Sequence, residues 1–179
     1  MAFRSPWLCY NMETFFIKKI REVKKLKSDI EKKLEIELKI LGNKVVISGN
    51  PVNEYDALRI FEAIAFGFPV KKAFLLKESD ASFRALHIKD YSKRNLKDIN
   101  SRLIGKQGKT KKTIAEISNC HILVKDGEVG IMGYSEDVEN ASTAIIHLIK
   151  GSKQSNMYKY LERMNRAKKE MTDLGLKEI

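Results

Sequence analysis

Alternating apolar and polar side chains predict two β-hairpins in this chain. In the first, Ile36–Ile40 alternates with acidic and basic residues, and a Gly-Asn pair typical of tight turns precedes Val45–Ile47. In the second, Cys120–Val124 and Val129–Met132 are predicted strands joined around an Asp-Gly pair. Such a pattern is typical of strands with one buried and one exposed face.

A helix is predicted after each hairpin. Asn50 is a candidate N-cap, and Pro51 suits the first helical position. Ser135 is the candidate N-cap of the second helix, which has apolar residues at helical spacing. Two helical segments precede each hairpin, and a possible strand precedes those, at Phe15–Ile17 in one half and Phe83–Ile88 in the other.

The two halves of the chain repeat each other. A shift of 84 residues aligns them without a gap, and apolar or glycine positions coincide. Examples are Ile20 with Ile104, Ile30 with Ile114, Ile36 with Cys120, Val45 with Val129, Gly49 with Gly133, Ala57 with Ala141 and Gly67 with Gly151. Because a shared fold constrains such positions, we predict two α+β units, each with a three-stranded antiparallel sheet and helices on one face.

The segment Ile104–Lys112 reads Ile-Gly-Lys-Gln-Gly-Lys-Thr-Lys-Lys and suggests a specific chemistry. Glycine lacks a Cβ, so another main chain can approach it closely. The start of the following helix has unpaired N–H groups and a partial positive charge, which suit anions. The segment therefore predicts contact with a phosphodiester backbone. The alternative is a tight turn between helices, with glycine present for its dihedral angles and lysine for solubility.

A nucleotide-binding P-loop is a second possibility for this segment, because Gly108-Lys109-Thr110 resembles the end of that motif. The motif needs a glycine five residues before its second glycine, and that position holds Leu103. We therefore reject a P-loop.

The overall charge favours a polyanionic partner. The 179 residues include 34 Lys and Arg against 23 Asp and Glu, a net charge of +11. Nucleic acid is the commonest such partner and an acidic membrane the next, while a basic protein without such a ligand is the alternative. From Lys93 to Lys112 there are eight basic residues and one acid, Asp98, so the field is densest around the glycine segment.

Several function classes lack support in the sequence. Cys9 and Cys120 form no CxxC motif or cysteine–histidine cluster, so we expect no metal, a buried Cys120 and a reducing, cytoplasmic location. His87, His121 and His147 have no carboxylate or thiol at a motif spacing, so we expect neither catalysis nor a cofactor.

No membrane association is expected either. No apolar run approaches the roughly 20 residues of a membrane span. The first eleven residues are too short and interrupted for a signal peptide, and Met12 is an alternative start.

The second half of the chain resembles a KH domain of the eukaryotic arrangement, type I. The resemblance is carried by the order of its elements, namely Ile104–Gly108, the basic helix, the hairpin and the closing helix. The resemblance implies that the GxxG segment faces the backbone of about four single-stranded nucleotides, with bases in an apolar groove between the helices and the edge strand. The candidate RNA-binding residues are Arg102, Ile104, Gly105, Lys106, Gln107, Gly108, Lys109, Thr110, Lys111, Lys112, Ile114, His121 and Ile122.

The first unit lacks the glycines of this motif. The alignment places Arg21–Lys24 opposite Gly105–Gly108, so bulky side chains replace both glycines. We therefore interpret the first unit as a degenerate KH domain with a role in packing, orientation or protein contact. Weak non-specific RNA binding through its surface lysines is the alternative.

As a whole, the chain resembles the archaeal KH-domain ribosome assembly proteins of the partner-of-Nob-one (Dim-two) family, and in part the Krr-type factors. Four segments carry the resemblance: Ala63–Phe68, Arg102–Thr110, Val129–Tyr134 and Met157–Arg163. It implies single-stranded RNA binding near the 3′ end of the small-subunit rRNA precursor, joint action with the Nob endonuclease and a link to the alpha subunit of translation initiation factor two. A protein-interaction scaffold with weak RNA binding is the alternative.

The expected organisation is two tandem type I KH domains, packed together, with a C-terminal helix. The predicted limits are an N-terminal arm over 1–12, a degenerate KH domain over 13–68, an ordered linker over 69–82, a KH domain over 83–152, and a C-terminal helix and tail over 153–179. Met157, Leu161 and Met164 at helical spacing predict that the last helix either covers the second unit or presents a face to a protein.

Overall fold

The computed structural model describes residues 14–18, 20–125 and 127–173. The N-terminal arm, the choice between Met1 and Met12, and Cys9 lie outside these residues. The chain divides between Lys77 and Glu78 into two compact units, each with a three-stranded antiparallel sheet and helices. The predicted α+β class is therefore confirmed. The packing of the two units against each other stays a prediction.

The first unit is built on a sheet with the order β1-β3-β2, in which both pairs are antiparallel. Its elements are β1 (Thr14–Phe16), α1 (Ile20–Lys25), α2 (Lys27–Leu34), β2 (Ile36–Leu41), β3 (Lys44–Gly49), α3 (Pro51–Phe66), α4 (Val70–Ala73) and a 3-10 turn (Phe74–Lys77). Ile36 and Leu38 are buried while Glu37 and Lys39 are exposed, which confirms the alternation expected of β2.

Helix α3 begins as its sequence predicts. Asn50 is the N-cap, its side-chain oxygen accepts a hydrogen bond from the Val52 N–H at 3.1 Å, and Pro51 is the first helical residue. The helix buries Ile60 and Phe61, and so covers one face of the sheet.

Residues 70–77, which follow α3, pack within the first unit. Val70, Ala73 and Leu76 are buried there. The Val70 N–H donates to the Glu22 carboxylate at 3.1 Å, and Lys77 Nζ donates to the Lys33 carbonyl at 2.7 Å. These contacts explain why this part of the predicted linker is ordered.

The second unit has the same sheet order, β4-β6-β5, again antiparallel. Its elements are β4 (Ala81–His87), α5 (Ile88–Tyr91), α6 (Leu96–Ile104), a 3-10 turn (Lys106–Gly108), α7 (Lys109–Ile117), β5 (His121–Lys125), β6 (Glu128–Tyr134), α8 (Ser135–Lys150) and α9 (Gln154–Asp173). None of the described helices is long and apolar enough to cross a membrane.

The repeat holds in the structure, but not without a gap. Helices α3 and α8 both have 16 residues and lie 84 positions apart. At the first strand the two units are offset by fewer residues. The Ile17 N–H donates to the Asn43 carbonyl, and the Ile88 N–H makes the equivalent bond to the Gly127 carbonyl, both at 2.9 Å. The two donors are 71 residues apart, whereas the two acceptors are 84 residues apart. The second unit therefore contains extra residues between its first strand and its hairpin, α5 among them. The ungapped alignment of Ile20 with Ile104 is wrong, because Ile20 begins α1 whereas Ile104 ends α6.

Ser135 is not the N-cap of α8. Tyr134 occupies that position without a side-chain cap, and Ser135 is the first helical residue. The Ser135 N–H and hydroxyl donate to the Asp80 carbonyl, at 2.8 and 2.7 Å. Because a long-range acceptor holds Ser135, its hydroxyl does not cap its own helix.

Helix α9 belongs to the core of the second unit at its start. Met157 and Leu161 are buried in the cluster that also contains Ile131, Ile145 and Leu148. Met171, near the other end, is exposed. Of the two roles predicted for this helix, covering the second unit is the one that its first turns perform.

Cys120 lies in the same cluster, as expected for a small apolar residue. Burial raises the pKa of its thiol to about 11, although a hydrogen bond from Ser118 partly opposes this effect. The thiol is therefore protonated at neutral pH and poorly suited to act as a nucleophile.

Candidate nucleic-acid interface

The glycine segment joins α6 to α7 through a short turn with an unusual backbone. Gly105, Gln107 and Gly108 have φ angles of 73°, 54° and 77°. The Gly108 N–H closes the turn on the Gly105 carbonyl at 3.2 Å. Three left-handed residues within four positions reverse the chain between two helices, and glycine adopts such angles at the lowest cost.

Gly105 is constrained by the protein's own packing. With φ 73° and ψ 178°, it occupies a region reached almost only by glycine. A Cβ at this position would lie 2.1 Å from Thr110 Oγ1. The missing side chain of Gly105 therefore makes room for Thr110, not for a ligand, which corrects the expectation that both glycines serve close approach by another chain.

Gly108 has the open surface that the expectation required. A Cβ built there would meet no atom within 4 Å. The residue is also the N-cap of α7, where backbone N–H groups without intrahelical acceptors begin. The turn alternative accounts for the dihedral angles of both glycines, and the open space at Gly108 additionally permits a second backbone to approach.

The charged side chains of the segment lie mainly at the surface. Lys106, Gln107 and Lys109 are exposed, and Lys111 is half-buried. Lys112 is exposed and lies 3.8 Å from the Glu116 carboxylate, a surface pair that contributes little energy and leaves the lysine available. The edge of the turn is therefore basic, as the sequence predicts.

Three other predicted site residues have structural roles. Thr110 is 5% exposed and Ile114, a core residue, is 1% exposed. Arg102 is half-buried and donates from Nη2 to the Ser152 carbonyl at 2.7 Å. The placement of Ile114 in a base-binding groove is wrong, because its side chain packs into the core between α7 and the rest of the unit.

The predicted groove residues on the edge strand stay at the surface. Ile104 is 39% exposed at the end of α6. His121 and Ile122 are half-buried on β5, which is the edge of its sheet and contacts both α6 and α7. Leu96 and Val124 are also half-buried and pack against the core of this unit. The turn, Ile104 and β5 therefore belong to one unit, in which β5 contacts the helices on both sides of the turn.

Two residues outside the predicted set are notable here. Gln154 donates from Nε2 to Thr110 Oγ1 at 3.1 Å and to the Arg102 carbonyl at 3.3 Å. Asn100, on α6, has a buried side-chain oxygen with no hydrogen-bond partner among the described residues. No local pattern indicates either residue, because Gln154 lies 44 positions after Thr110 and the surroundings of Asn100 depend on tertiary packing.

The first unit has no equivalent turn. Helix α1 runs through Arg21–Lys24, which the ungapped alignment sets opposite the glycines, and Leu26 alone separates this helix from α2. Val23 is buried, and every described residue of 20–34 has a negative φ. The first unit therefore has a nearly continuous helix here rather than bulky side chains on a similar loop. Its interpretation as a degenerate KH domain stays a prediction.

Metal ligands do not assemble near the turn or elsewhere in the described part of the chain. No three His, Cys, Asp or Glu residues there lie close enough together to hold an ion.

Comparison with protein families gives a match in the second unit. A model of the second KH domain of PNO1, described as a eukaryotic type KH-domain (KH-domain type I), matches residues 82–166. This range includes the turn, β5 and most of α9.

Three curated relatives are similar to the chain. A KH domain-containing protein of Methanocaldococcus jannaschii is 31% identical over 146 residues, 77% of this chain and 64% of the relative. The RNA-binding protein PNO1 of Oryzias latipes is 33% identical over 106 residues, 57% of this chain and 44% of the relative. The pre-rRNA-processing protein pno1 of Aspergillus fumigatus is 32% identical over 114 residues, covering 61% and 45%. The chain thus spans less than two thirds of each of these relatives.

Two solved structures share the fold over most of their length. Dim2p from Pyrococcus horikoshii superposes with a TM-score of 0.74 and 29% identity, covering 84% of this chain and 98% of that one. A chain in the complex of a/eIF2alpha, aDim2p and rRNA from the same organism gives a TM-score of 0.76 and 28% identity, covering 87% and 94%. With two KH-type sheets and a C-terminal helix in place, the chain belongs to the PNO1 (Dim2) family of KH-domain proteins.

Proposed function

We propose that this chain is a non-catalytic factor of small-subunit assembly that binds single-stranded RNA through the turn at residues 105–108. The observation that carries the proposal is the open main-chain surface at Gly108, flanked by exposed Lys106 and Lys109. The names of the relatives, RNA-binding and pre-rRNA-processing proteins, support it.

The proposed contact divides into a backbone part and a base part. The turn and the first N–H groups of α7 bind phosphates, with Lys106 and Lys109 adding charge. About four nucleotides then place their bases against Ile104 and the surface of β5 that carries His121 and Ile122. Phosphate contacts position the strand, and base contacts select its sequence.

The proposed RNA is the 3′ region of the small-subunit rRNA precursor. Family resemblance supports this assignment, and a similar chain has been solved in a complex that contains rRNA. The same complex contains a/eIF2alpha, which supports the alpha subunit of translation initiation factor two as a protein partner. A Nob-type endonuclease is a further proposed partner, supported by family resemblance alone.

A second candidate function is a protein scaffold with weak RNA binding. The first unit favours it, because Phe16 and Leu41 are 58% and 67% exposed. Both are paired with Lys44 across the sheet, so the three side chains lie in one row on the face opposite Phe15 and Val45. Large apolar side chains beside a lysine are suited to contact with a protein.

The first prediction concerns the exposed residues of the turn. Changing Lys106 and Gln107 together to Asp places negative charge against the phosphates, so affinity for a single-stranded oligonucleotide from the 3′ region should fall at least about tenfold. Fluorescence anisotropy measures the affinity, and thermal unfolding checks that the fold is intact.

A matched control for this variant lies in the first unit. Lys24→Asp with Ser28→Asp changes the net charge equally at two exposed helical positions. This control should bind nearly as well as the unmodified chain. Equal losses in both variants would show that net charge alone, and not the turn, governs binding.

The second prediction is the salt dependence. Four phosphate contacts on a single strand give a slope of about −3 for log affinity against log salt concentration. Anisotropy titrations over a range of KCl concentrations measure it. A slope near zero would contradict a phosphate clamp.

The third prediction separates the two glycines. Gly105→Ala should destabilise the fold by on the order of 2 kcal/mol or more, because it adds backbone strain and a steric clash with Thr110. Gly108→Ala should cost about 1 kcal/mol, because it adds only the left-handed penalty, yet it should weaken RNA binding by obstructing the open surface. Urea unfolding and anisotropy give both quantities. Similar unfolding costs for the two variants would contradict the assigned packing.

The fourth prediction concerns the protein partner. The purified alpha subunit of initiation factor two should be retained on the immobilised chain, and the variant of Lys106 and Gln107 should retain it equally well after nuclease treatment. Leu41→Ser tests the exposed face of the first unit and should lower retention if that face is the contact. Loss of retention by the unmodified chain on nuclease treatment would mean that RNA bridges the two proteins, and loss in the turn variant alone would place the protein contact at the turn.

A further inference from the structure

We propose that Gln154, the first residue of α9, positions the glycine turn, so that α9 is a working part of the RNA site. The inference rests on the proposed function of residues 105–108. Gln154 is a positioning residue, because it acts through Thr110 and not through contact with RNA.

The side-chain amide of Gln154 joins the two helices that flank the turn. Its Nε2 donates to the hydroxyl of Thr110, in the first turn of α7, at 3.1 Å. The same nitrogen donates to the carbonyl of Arg102, in the last turn of α6, at 3.3 Å. The guanidinium of Arg102 donates in return to the Ser152 carbonyl at 2.7 Å. These bonds link α6, α7 and the α8–α9 junction around the turn.

Thr110 transmits this contact to the backbone of the turn. Its side chain fills the place where a Cβ of residue 105 would lie, so its position determines how the backbone at Gly105 can run. In a helix, threonine divides between two rotamers because its hydroxyl can also bond a carbonyl of the preceding turn. A donor from α9 favours the rotamer in which the hydroxyl faces Gln154.

The start of α9 is held firmly enough to serve this purpose. Met157 and Leu161, one and two turns later, are buried in the core. Further along, the Asn165 side-chain amide donates to the carbonyl of Ile117, the last residue of α7. Helix α9 therefore contacts both ends of α7, and Gln154 is anchored although it is a terminal residue.

This arrangement couples α9 to the RNA. If Gln154 favours the backbone geometry that binds phosphate, bound RNA must in turn favour the Gln154–Thr110 contact, because linkage is reciprocal.

The test is the RNA affinity of Gln154→Ala in the full chain. One neutral hydrogen bond corresponds to a loss of roughly fivefold. The slope against salt should not change, because no phosphate contact is removed. Ser155→Ala, at the exposed neighbouring position, is the matched control and should bind as the unmodified chain does.

A double-mutant cycle tests the route through Thr110. Thr110→Val should weaken RNA binding to a similar degree, whereas Thr110→Ser, which keeps the hydroxyl, should bind as the unmodified chain does. In a chain that already carries Gln154→Ala, Thr110→Val should cause little further loss of affinity. Additive losses would overturn the route. In NMR titrations with the oligonucleotide, the Gln154 side-chain amide signals should shift in the unmodified chain but not in Thr110→Val.

A purely structural role gives a different result. Met164→Ala, at a half-buried position of α9, lowers stability without touching the turn. If it weakens RNA binding as much as Gln154→Ala at an equal loss of stability, the positioning role is overturned. Unchanged affinity in Gln154→Ala, with binding lost in the variant of Lys106 and Gln107, would refute the inference and leave the proposed function standing. Absence of binding by the unmodified chain would refute both.

Discussion

The glycine turn of the second unit depends on a contact between the side chain of Thr110 and Gly105, a residue without a side chain. Thr110 lies against Gly105, where any Cβ would lie 2.1 Å from its hydroxyl oxygen. The contact lets α7 begin close to the end of α6 and forces the backbone between them through three left-handed residues. This reversal keeps the open surface at Gly108 next to the exposed basic side chains of Lys106 and Lys109. A wider turn would separate the open surface from these side chains.

The two units show that their shared fold does not require the glycine turn. Their sheets have the same strand order, and their closing helices have equal length. They differ where one has a turn of four residues and the other has the single residue Leu26 between two helices. Because the apolar core constrains sheets and closing helices, both are retained, whereas the loop contributes little to the core and can be replaced by helix without loss of the fold.

Helix α9 extends the second unit beyond a minimal KH arrangement. Its early apolar residues complete the core, and its polar side chains reach both ends of α7. Helix α9 therefore completes the core and also contacts the helices on both sides of the glycine turn. The first unit instead receives α4 and the following 3-10 turn after its closing helix, with Glu22 bonded to the start of that segment. Each unit is thus completed by the segment that follows its own closing helix.

The sequence by itself determined the repeat, the hairpins, the class of the fold and the position of the glycine turn. These features depend on local patterns, namely apolar alternation, helix caps and paired glycines, which act over a few residues. Asn50 behaves as its local sequence predicts, whereas Ser135 does not, because Asp80 supplies a distant acceptor. Likewise, the tertiary structure alone decided that Ile114 is core, that Gly105 makes room for Thr110 and that Gln154 bonds Thr110. The contacts of Gln154 and Ser135 join residues more than 40 positions apart and leave no periodic trace in the sequence, and the contact of Thr110 with Gly105 depends on the exact backbone path of the turn.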